Sequence, residues 1–329
     1  MRIIISLLLL WTTQVYTKNN LPNTLESDLP MEEVIAYGIR PGPELWKVSK
    51  GENVLWILGT LSLLPKRMKW QSSLVAAVIE NSQALLLPPT VTADVGFFQG
   101  LSLATSAIGI KKNPDKKKLK DMVPTKDYTR WLVLKNKYLG ADRGVEKTRP
   151  IFASAKLFDK AISKIGLSYN TKVEKKVRKI AKKNKLEIIE PTITIDLNKP
   201  KKAIKKFKKT QLSDLECFSK TLDRLEVDLI NMRLRATAWA NGDIEKLKAL
   251  KFPSQNQACS SAMLNTDVAQ DMGFTDLPQR MRDMWLEEVN KTLVNNKSTF
   301  AYLPISRLMG KDNLIDLLKA EGYIIRVPK

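Results

Sequence analysis

Apolar runs that stop at a glycine or a proline predict the first strands of a sheet. The run at residues 54–58 ends at Gly59 and Thr60 and is followed by a polar loop. Residues 45–48 precede it across a short polar turn, and residues 84–87 form an apolar segment before two prolines. We interpret the first two segments as a hairpin and the third as a buried strand. A strand that ends in a polar loop presents side chains at the carboxyl end of a sheet, where functional sites are common.

Apolar positions spaced three and four residues apart predict helices in the middle of the chain. Residues 94–165 have a mostly helical pattern. Residues 169–184 predict a very basic helix, and residues 211–241 predict the longest helix, with one apolar and one charged face. Gly242 is placed to cap that helix, and Asp243 is placed to begin the next one.

Short apolar segments separate and follow these helices. Residues 186–189, 193–197, 298–303 and 322–327 predict four further strands. Strands interleaved with helices indicate an α/β (α+β) fold, in which a mixed central β-sheet is flanked by helices and the middle region is long and helical. A chain of 329 residues with 43% hydrophobic content is large enough to fill one continuous core.

The amino terminus has the pattern of an export signal. Arg2 precedes a short apolar run at residues 3–11, and polar residues follow. This run is shorter than the roughly 20 residues that span a bilayer, but it suits a signal peptide. We predict a signal peptide over residues 1–17, a linker over 18–43 and one domain over 44–329. The alternative is a frayed or buried amino-terminal segment. Export places the protein in the periplasm or outside the cell, and no later apolar run is long enough to cross a membrane.

The charge balance and the absence of histidine narrow the chemistry. The chain has 55 basic and 34 acidic residues, with a formal charge of +21, and no histidine. Because lysine supplies most of the basic excess, diffuse attraction to polyanions is favoured over the forked phosphate recognition that arginine provides. The absence of histidine excludes Ser-His, Cys-His and histidine-metal sites. Catalysis would therefore use carboxylates, lysines, hydroxyls or thiols.

The two cysteines of the chain, Cys217 and Cys259, are candidates for a disulfide. A disulfide suits an exported protein, since the periplasm and the extracellular space are oxidising. The alternative is two separately buried thiols, because spacing in the sequence does not show whether two side chains meet. We predict that the disulfide forms.

Three groups of residues resemble the motifs of one protein family. They are Gly59-Thr60-Leu61 with the following Leu64-Pro65-Lys66 and Trp70; Trp239 with Gly242-Asp243; and a carboxyl-terminal order of strand, helix, Gly322-Tyr323 and strand. Over residues 45–327 this set resembles the TraB/GumN family, which includes the Tiki metalloproteases. The resemblance implies an α/β fold with a divalent metal, for which two Gly-x-x-His motifs and a glutamate would supply ligands.

The chain departs from this pattern at the positions that would bind the metal. Ser62 stands at the first histidine, Arg307 at the second, and residues 87–89 stand where the glutamate is expected. Serine is a weak metal ligand, and arginine has no lone pair to give. We therefore predict no metal, no other cofactor and no catalytic residue. The degenerate site is predicted as a cleft formed by Gly59, Thr60, Ser62, Ser306 and Arg307.

These departures indicate a pseudoenzyme of the cell envelope or the extracellular space. Its former metal site is either a structural relic or a pocket for an anionic or hydroxyl-rich ligand, and its basic helices would bind an anionic polysaccharide or an envelope protein. The alternatives are a metal-dependent peptidase or hydrolase that uses carboxylates alone, and a basic cytoplasmic protein. A Ser62–Lys66 dyad is disfavoured because the spacing is not Ser-x-x-Lys. No nucleic-acid module is recognisable, so no specific nucleic-acid partner is expected.

Overall fold

The structure is a computed structural model that describes residues 42–94, 103, 105–169, 172–197, 199–250, 252–253, 255–274, 276–310 and 313–328. The predicted signal peptide lies outside the described residues, as does the predicted linker up to residue 41. No helix in the described part of the chain is long and apolar enough to cross a membrane.

Strands occur mainly at the two ends of the described chain, with a few short ones between helices. They are β1 (Leu45–Lys50), β2 (Asn53–Thr60), β3 (Leu63–Pro65), β4 (Ala84–Leu86), β5 (Thr90–Asp94), β6 (Leu167–Tyr169), β7 (Glu187–Ile189), β8 (Thr192–Asp196), β9 (Ser298–Pro304) and β10 (Ile324–Arg326).

Six of these strands form one mixed sheet in the order β10-β1-β2-β9-β4-β7. β1 is antiparallel to β2 and β10, so the predicted hairpin is confirmed. β2, β9, β4 and β7 run parallel to one another. Their carboxyl ends therefore lie along one edge of the sheet, which we call the motif edge and which ends at Thr60, Pro304, Leu86 and Ile189.

The helices cover the sheet and build a second layer beside it. They are α1 (Ser73–Glu80), α2 (Thr125–Tyr138), α3 (Pro150–Lys164), α4 (Lys172–Lys183), α5 (Pro200–Lys209), α6 (Leu215–Val227), α7 (Leu229–Asn241), α8 (Ile244–Ala249), α9 (Gln255–Leu264), α10 (Asp267–Asp271), α11 (Leu277–Asn295), α12 (Ser306–Met309) and α13 (Leu314–Ala320). The predicted fold class, a mixed sheet flanked by helices, is confirmed.

Two large apolar clusters hold the described residues together. The first packs the sheet against α1, α4 and α11, and its largest fully buried side chains include Trp46, Trp239, Trp285 and Phe300. The second lies among α2, α3, α6 and α7 around Trp131. Because the basic helix α4 buries Val173, Val177 and Ala181 in the first cluster, its lysines are left on the outer face.

The prediction of one continuous helix over residues 211–241 is wrong. The structure divides it into α6 and α7 at Asp228, whose side chain is buried between Arg224 and Arg235. The predicted start of the basic helix at Tyr169 is also wrong. Tyr169 pairs with Leu63 in the two-stranded sheet of β3 and β6, and the helix begins at Lys172.

The end of α7 is as predicted. Gly242 has a φ of 72° and caps the helix, in a left-handed conformation that glycine adopts without strain. A Cβ atom at this position would lie 2.6 Å from the carbonyl oxygen of Gly42. Asp243 is the N-cap of α8, and its Oδ1 accepts a hydrogen bond of 2.9 Å from the Lys246 amide.

A disulfide joins α6 to α9. The Sγ atoms of Cys217 and Cys259 are bonded, and the Cα atoms of the two residues lie 4.6 Å apart. Cys217 is buried in a small apolar cluster that also includes Phe207 and Leu212. The bond links the helix next to the Asp228 break to a segment 42 residues further along the chain.

Candidate functional site

The two motif-bearing strands are neighbours, and their ends meet. β2 and β9 are parallel, with Thr60 opposite Pro304. The Ile305 amide donates a hydrogen bond of 2.8 Å to the Thr60 carbonyl oxygen, and the Thr60 hydroxyl lies 3.3 Å from the Leu303 carbonyl oxygen. The first motif and the carboxyl-terminal motif, which are more than 240 residues apart in the sequence, are thus tied together at the motif edge.

Gly59 is enclosed by the side chains of Ile305 and Trp46. A Cβ atom there would lie 2.8 Å from Ile305 Cγ1 and 2.9 Å from Trp46 Cζ3, so no larger residue fits without movement. The indole Nε1 of Trp239 donates a hydrogen bond of 2.6 Å to the Gly59 carbonyl oxygen. Trp239 is buried in the core and fixes the end of β2.

Ser62, Ser306 and Arg307 are exposed at the motif edge. Ser62 lies in the turn between β2 and β3, and the other two residues begin α12 directly after β9. Within the described residues, the side chain of Arg307 forms no ion pair, and no hydrogen bond joins it to Ser62. The Lys66 ammonium group donates to the hydroxyl of Ser163, 3.1 Å away, which gives no support to a Ser62–Lys66 dyad.

A glutamate that the sequence analysis did not single out lies at the same edge. Glu174, in the first turn of α4, is close to the Thr60 hydroxyl, and its Oε2 atom is buried without a hydrogen-bond partner in the described structure. Burial raises the pKa of this carboxyl group, and a hydrogen bond from Thr60 partly opposes the shift. Thr60 has one hydroxyl proton, so it serves either Glu174 or the Leu303 carbonyl at a given moment.

One helical turn further along α4, Arg178 connects two other strands of the edge. Its Nε donates to the Tyr302 hydroxyl at 3.2 Å, and its Nη1 lies 2.5 Å from Glu190 Oε1. Tyr302 belongs to β9, and Glu190 follows β7. Burial raises the pKa of Tyr302, while the hydrogen bond and charge of Arg178 lower it.

The sequence contained a weak signal for this group. Glu174 is the one acidic residue of α4, and it lies beside the apolar stripe of Val173 and Val177 instead of on the lysine-rich face. Arg178 follows four residues later, on the same side of the helix. Neither residue belongs to a motif, so only the packing of α4 on the sheet shows that both point to the strand ends.

The Glu174→Gln variant should have a pH-dependent advantage in stability. The raised pKa means that Glu174 contributes stability that is present below its ordinary value of 4.5 and is lost as pH rises through the raised folded-state value. Glutamine carries no charge and avoids that loss, so its stability relative to the original chain should increase between about pH 4 and neutrality. Chemical unfolding at a series of pH values measures this. Glu187→Gln, at an exposed glutamate of β7, controls for the lost charge. A stability difference for Glu174→Gln that does not change with pH would contradict the raised pKa of Glu174.

Comparison with known proteins agrees with the motif geometry. The sequence model of the TraB/PrgY/gumN family matches residues 44–327, which is nearly the whole chain. The chain belongs to the TraB/PrgY/gumN family. No curated protein and no solved structure matches it. The match begins one residue before β1 and ends one residue after β10, so the family region coincides with the six-stranded sheet and the helices connected to it.

The residues at the motif edge do not fit the divalent metal that the family resemblance implies. Arg307 carries a fixed positive charge and Ser62 offers only an exposed hydroxyl, so neither suits a cation. Glu190 is already paired with Arg178. Among the described residues, no group of three aspartate, glutamate or cysteine side chains is close enough to hold a metal ion. The described residues of the motif edge thus offer no set of ligands for a divalent cation.

A separate shallow depression lies away from the motif residues. It is lined by Ile193 of β8 and by one face of α11, with Arg280, Asp283, Met284 and Glu287. Its mixture of one basic, two acidic and two apolar side chains does not resemble the motif-edge group. We assign it no part in the candidate site.

Proposed function

We propose that this chain is a non-catalytic member of the TraB/PrgY/gumN family that is exported and binds an anionic polymer. The observation that supports it most strongly is the composition of the motif edge. Where the family pattern has two histidines, this edge has the exposed hydroxyl of Ser62 and the exposed guanidinium of Arg307. A serine and an arginine attract anions and hydroxyl-rich ligands, because both donate hydrogen bonds and one is positively charged.

The polymer is proposed because the positive charge extends beyond one pocket. Two helices, α4 and α5, have outer faces that are rich in lysine, and each is a candidate for the surface that contacts the polymer. Repeated point charges on a rigid surface suit a ligand with repeated negative charges. The lysines on these two helices are Lys172, Lys175, Lys176, Lys179, Lys182, Lys183, Lys201, Lys202, Lys205, Lys206, Lys208 and Lys209.

Export is proposed from the pattern of residues 1–17 and supported by the disulfide. Disulfides persist in the periplasm and outside the cell and are rare in a reducing cytosol. An anionic polysaccharide of the envelope or the extracellular matrix is the polyanion that such a protein would meet. A periplasmic or secreted location therefore agrees with the proposed ligand.

One observation favours the alternative of a hydrolase that uses carboxylates. Glu174 has a raised pKa and a buried oxygen without a partner, as a proton-transferring carboxyl group often has. The binding function explains more of the site, because it also accounts for Arg307 and for the absence of histidine. Stoichiometric binding of a divalent metal would reverse this preference.

Retention on an acidic polysaccharide should be strong at low salt and lost at high salt. We expect the mature chain to bind immobilised polygalacturonate at about 50 mM salt and to elute below about 500 mM, because exposed charge pairs are screened within roughly 10 Å at 0.1 M. A neutral dextran matrix controls for binding to the support. Equal retention on both matrices, or none on polygalacturonate, would contradict the proposed function.

A further inference from the structure

A compact group of cations lies beside the motif edge. Lys66, Arg67 and Lys69 are exposed in the loop after β3, and Lys176 is exposed on α4. The half-buried Trp70 lies between the loop and the helix, with Lys176 Nζ 5.2 Å from its ring centre. We call these five residues the basic ridge.

The positive charge of the basic ridge is not balanced by neighbouring acids. In the described part of the chain, Arg67, Lys69 and Lys176 form no ion pair. Neither of the carboxylates already described beside α4 offsets this charge, since Glu174 faces Thr60 and Glu190 pairs with Arg178. Like charges held together without counter-charges repel one another, and an anionic ligand relieves that repulsion.

The basic helix α5 differs in this respect. Its Lys206 is 2.6 Å from the carboxylate of Asp271, and Asp267 adds a second negative charge close by. Part of the positive charge of α5 is thus neutralised within the protein. The ridge and α5 thus differ in electrostatic balance at Lys206, which has acidic partners that Arg67, Lys69 and Lys176 lack in the described structure.

Backbone hydrogen bonds tie the loop of the basic ridge to the segments around it. The Lys66 amide donates to the Gly166 carbonyl oxygen at 3.2 Å, and the Met68 amide donates to the Pro65 carbonyl oxygen at 3.1 Å. Lys172 Nζ donates to the Lys66 carbonyl oxygen at 2.9 Å. A loop that is already ordered loses little conformational entropy when a ligand binds.

Trp70 connects the basic ridge to the motif edge. Its ring centre is 5.8 Å from that of Trp239, which in turn donates its indole hydrogen to the carbonyl oxygen of Gly59. Through these two tryptophans the basic ridge is connected to the end of β2 at the motif edge. A chain bound along the ridge passes beside the candidate site.

We propose that the basic ridge, and not α5, is the surface on which a carboxylate-bearing polysaccharide binds. This inference rests on the proposed function and identifies the surface that would bind the polymer. Lysine presents a single point charge without the bidentate fork that favours phosphate, and this suits the single carboxylates of a polyuronate.

The same features disfavour other polyanions. The Trp70 ring is half-buried and in contact with Lys176 and Trp239, which leaves little of it to stack on a nucleic-acid base. Met68 and Trp70, the large apolar residues of the loop, are partly buried, so the ridge has no exposed apolar residue to insert into a membrane. An acidic polysaccharide needs neither a free aromatic ring nor an exposed apolar residue, so it is the partner that fits the ridge.

Two variants with equal loss of charge test this location. The ridge variant replaces Lys66, Arg67, Lys69 and Lys176 by glutamine, and the control variant replaces Lys201, Lys202, Lys205 and Lys209 of α5 by glutamine. Dissociation constants for polygalacturonate are measured by titration of the full chain at about 50 and 200 mM salt. Circular dichroism of both variants checks that they fold.

We expect the ridge variant to bind at least about tenfold more weakly and to lose most of its salt dependence, and the control variant to change less than about twofold. Equal weakening of both variants would contradict the ridge as the binding surface and would leave the proposed function intact. No binding by the original chain would overturn both. Tighter binding of single-stranded DNA or of phosphatidylglycerol vesicles than of polygalacturonate, lost in the ridge variant, would overturn the choice of partner.

Discussion

Removal of the disulfide is expected to lower the free energy of unfolding by about 4 kcal/mol. The bond between Cys217 and Cys259 closes a loop with a sequence separation of 42 residues. In the chain-entropy description, opening a loop of that size gives the unfolded chain many more conformations. The effect is large because most domains are stable by only about 5–15 kcal/mol.

Denaturant unfolding of the Cys217→Ala/Cys259→Ala variant, compared with the oxidised chain, measures this loss. Reduction of the original chain should produce a similar loss, and Ser260→Ala, at an exposed neighbour, should produce almost none. A change below about 1 kcal/mol would show that the bond does not constrain the unfolded chain. Thiol titration of the denatured, unreduced protein should find no free thiol; two free thiols would argue against both the bond and export.

The Asp228→Ala variant is expected to lose about 3–5 kcal/mol of stability. Asp228 Oδ2 lies 2.5 Å from Arg235 Nη2 and 3.4 Å from Arg224 Nε, and the side chain of Arg235 is only 3% exposed. Alanine would leave two enclosed guanidinium groups without their shared carboxylate. This is costly because a buried charge without its counter-charge keeps its desolvation penalty.

Glu226→Ala is the matched control for Asp228→Ala. Glu226 is two residues away, pairs with Arg130 at the surface, and shares that arginine with Asp127 and Asp223. Exposed pairs contribute about 0–1 kcal/mol, so this variant should be close to the original chain in urea unfolding. If Asp228→Ala does not fold, Asp228→Asn keeps the shape and removes only the charge. Equal stability of the Asp228 and Glu226 variants would contradict the assignment.

The sheet could be predicted because its strands are encoded locally. The apolar run before Gly59 and the run at residues 298–303 are long enough to be identified on their own, and both strands are present with nearly the predicted bounds. Family motifs then supplied what periodicity could not, namely that the ends of these two strands belong to one site. Their parallel pairing at Thr60 and Pro304 agrees with that inference.

The break in the longest predicted helix could not be identified from periodicity. Leu225, Leu229 and Met232 continue the apolar spacing across Asp228, so the pattern predicts one helix. The carboxylate at the break is stabilised by two arginines, one on each helix, and this depends on tertiary packing. Tyr169 was misassigned for a related reason, because its pairing with Leu63 is a long-range contact.

The candidate site was only partly predictable. The motif positions Ser62 and Arg307 follow from the family pattern, and the structure brings their strands together. Glu174, Arg178 and Tyr302 belong to no motif, and they become neighbours only because α4 packs over the parallel strands. A buried oxygen without a partner, such as Oε2 of Glu174, is a property of packing and has no signature in sequence.

Metal content is the measurement that decides whether this chain binds a divalent metal at the motif edge. The mature protein is purified with and without chelator, its metal content is measured, and thermal unfolding is followed during titration with Mn, Co and Zn. We predict less than stoichiometric metal and no shift of the unfolding temperature, because Ser62 and Arg307 are poor ligands for a cation. One equivalent of tightly bound metal, with a stabilisation that chelator reverses, would contradict it and would support a hydrolase with carboxylate ligands near Glu174.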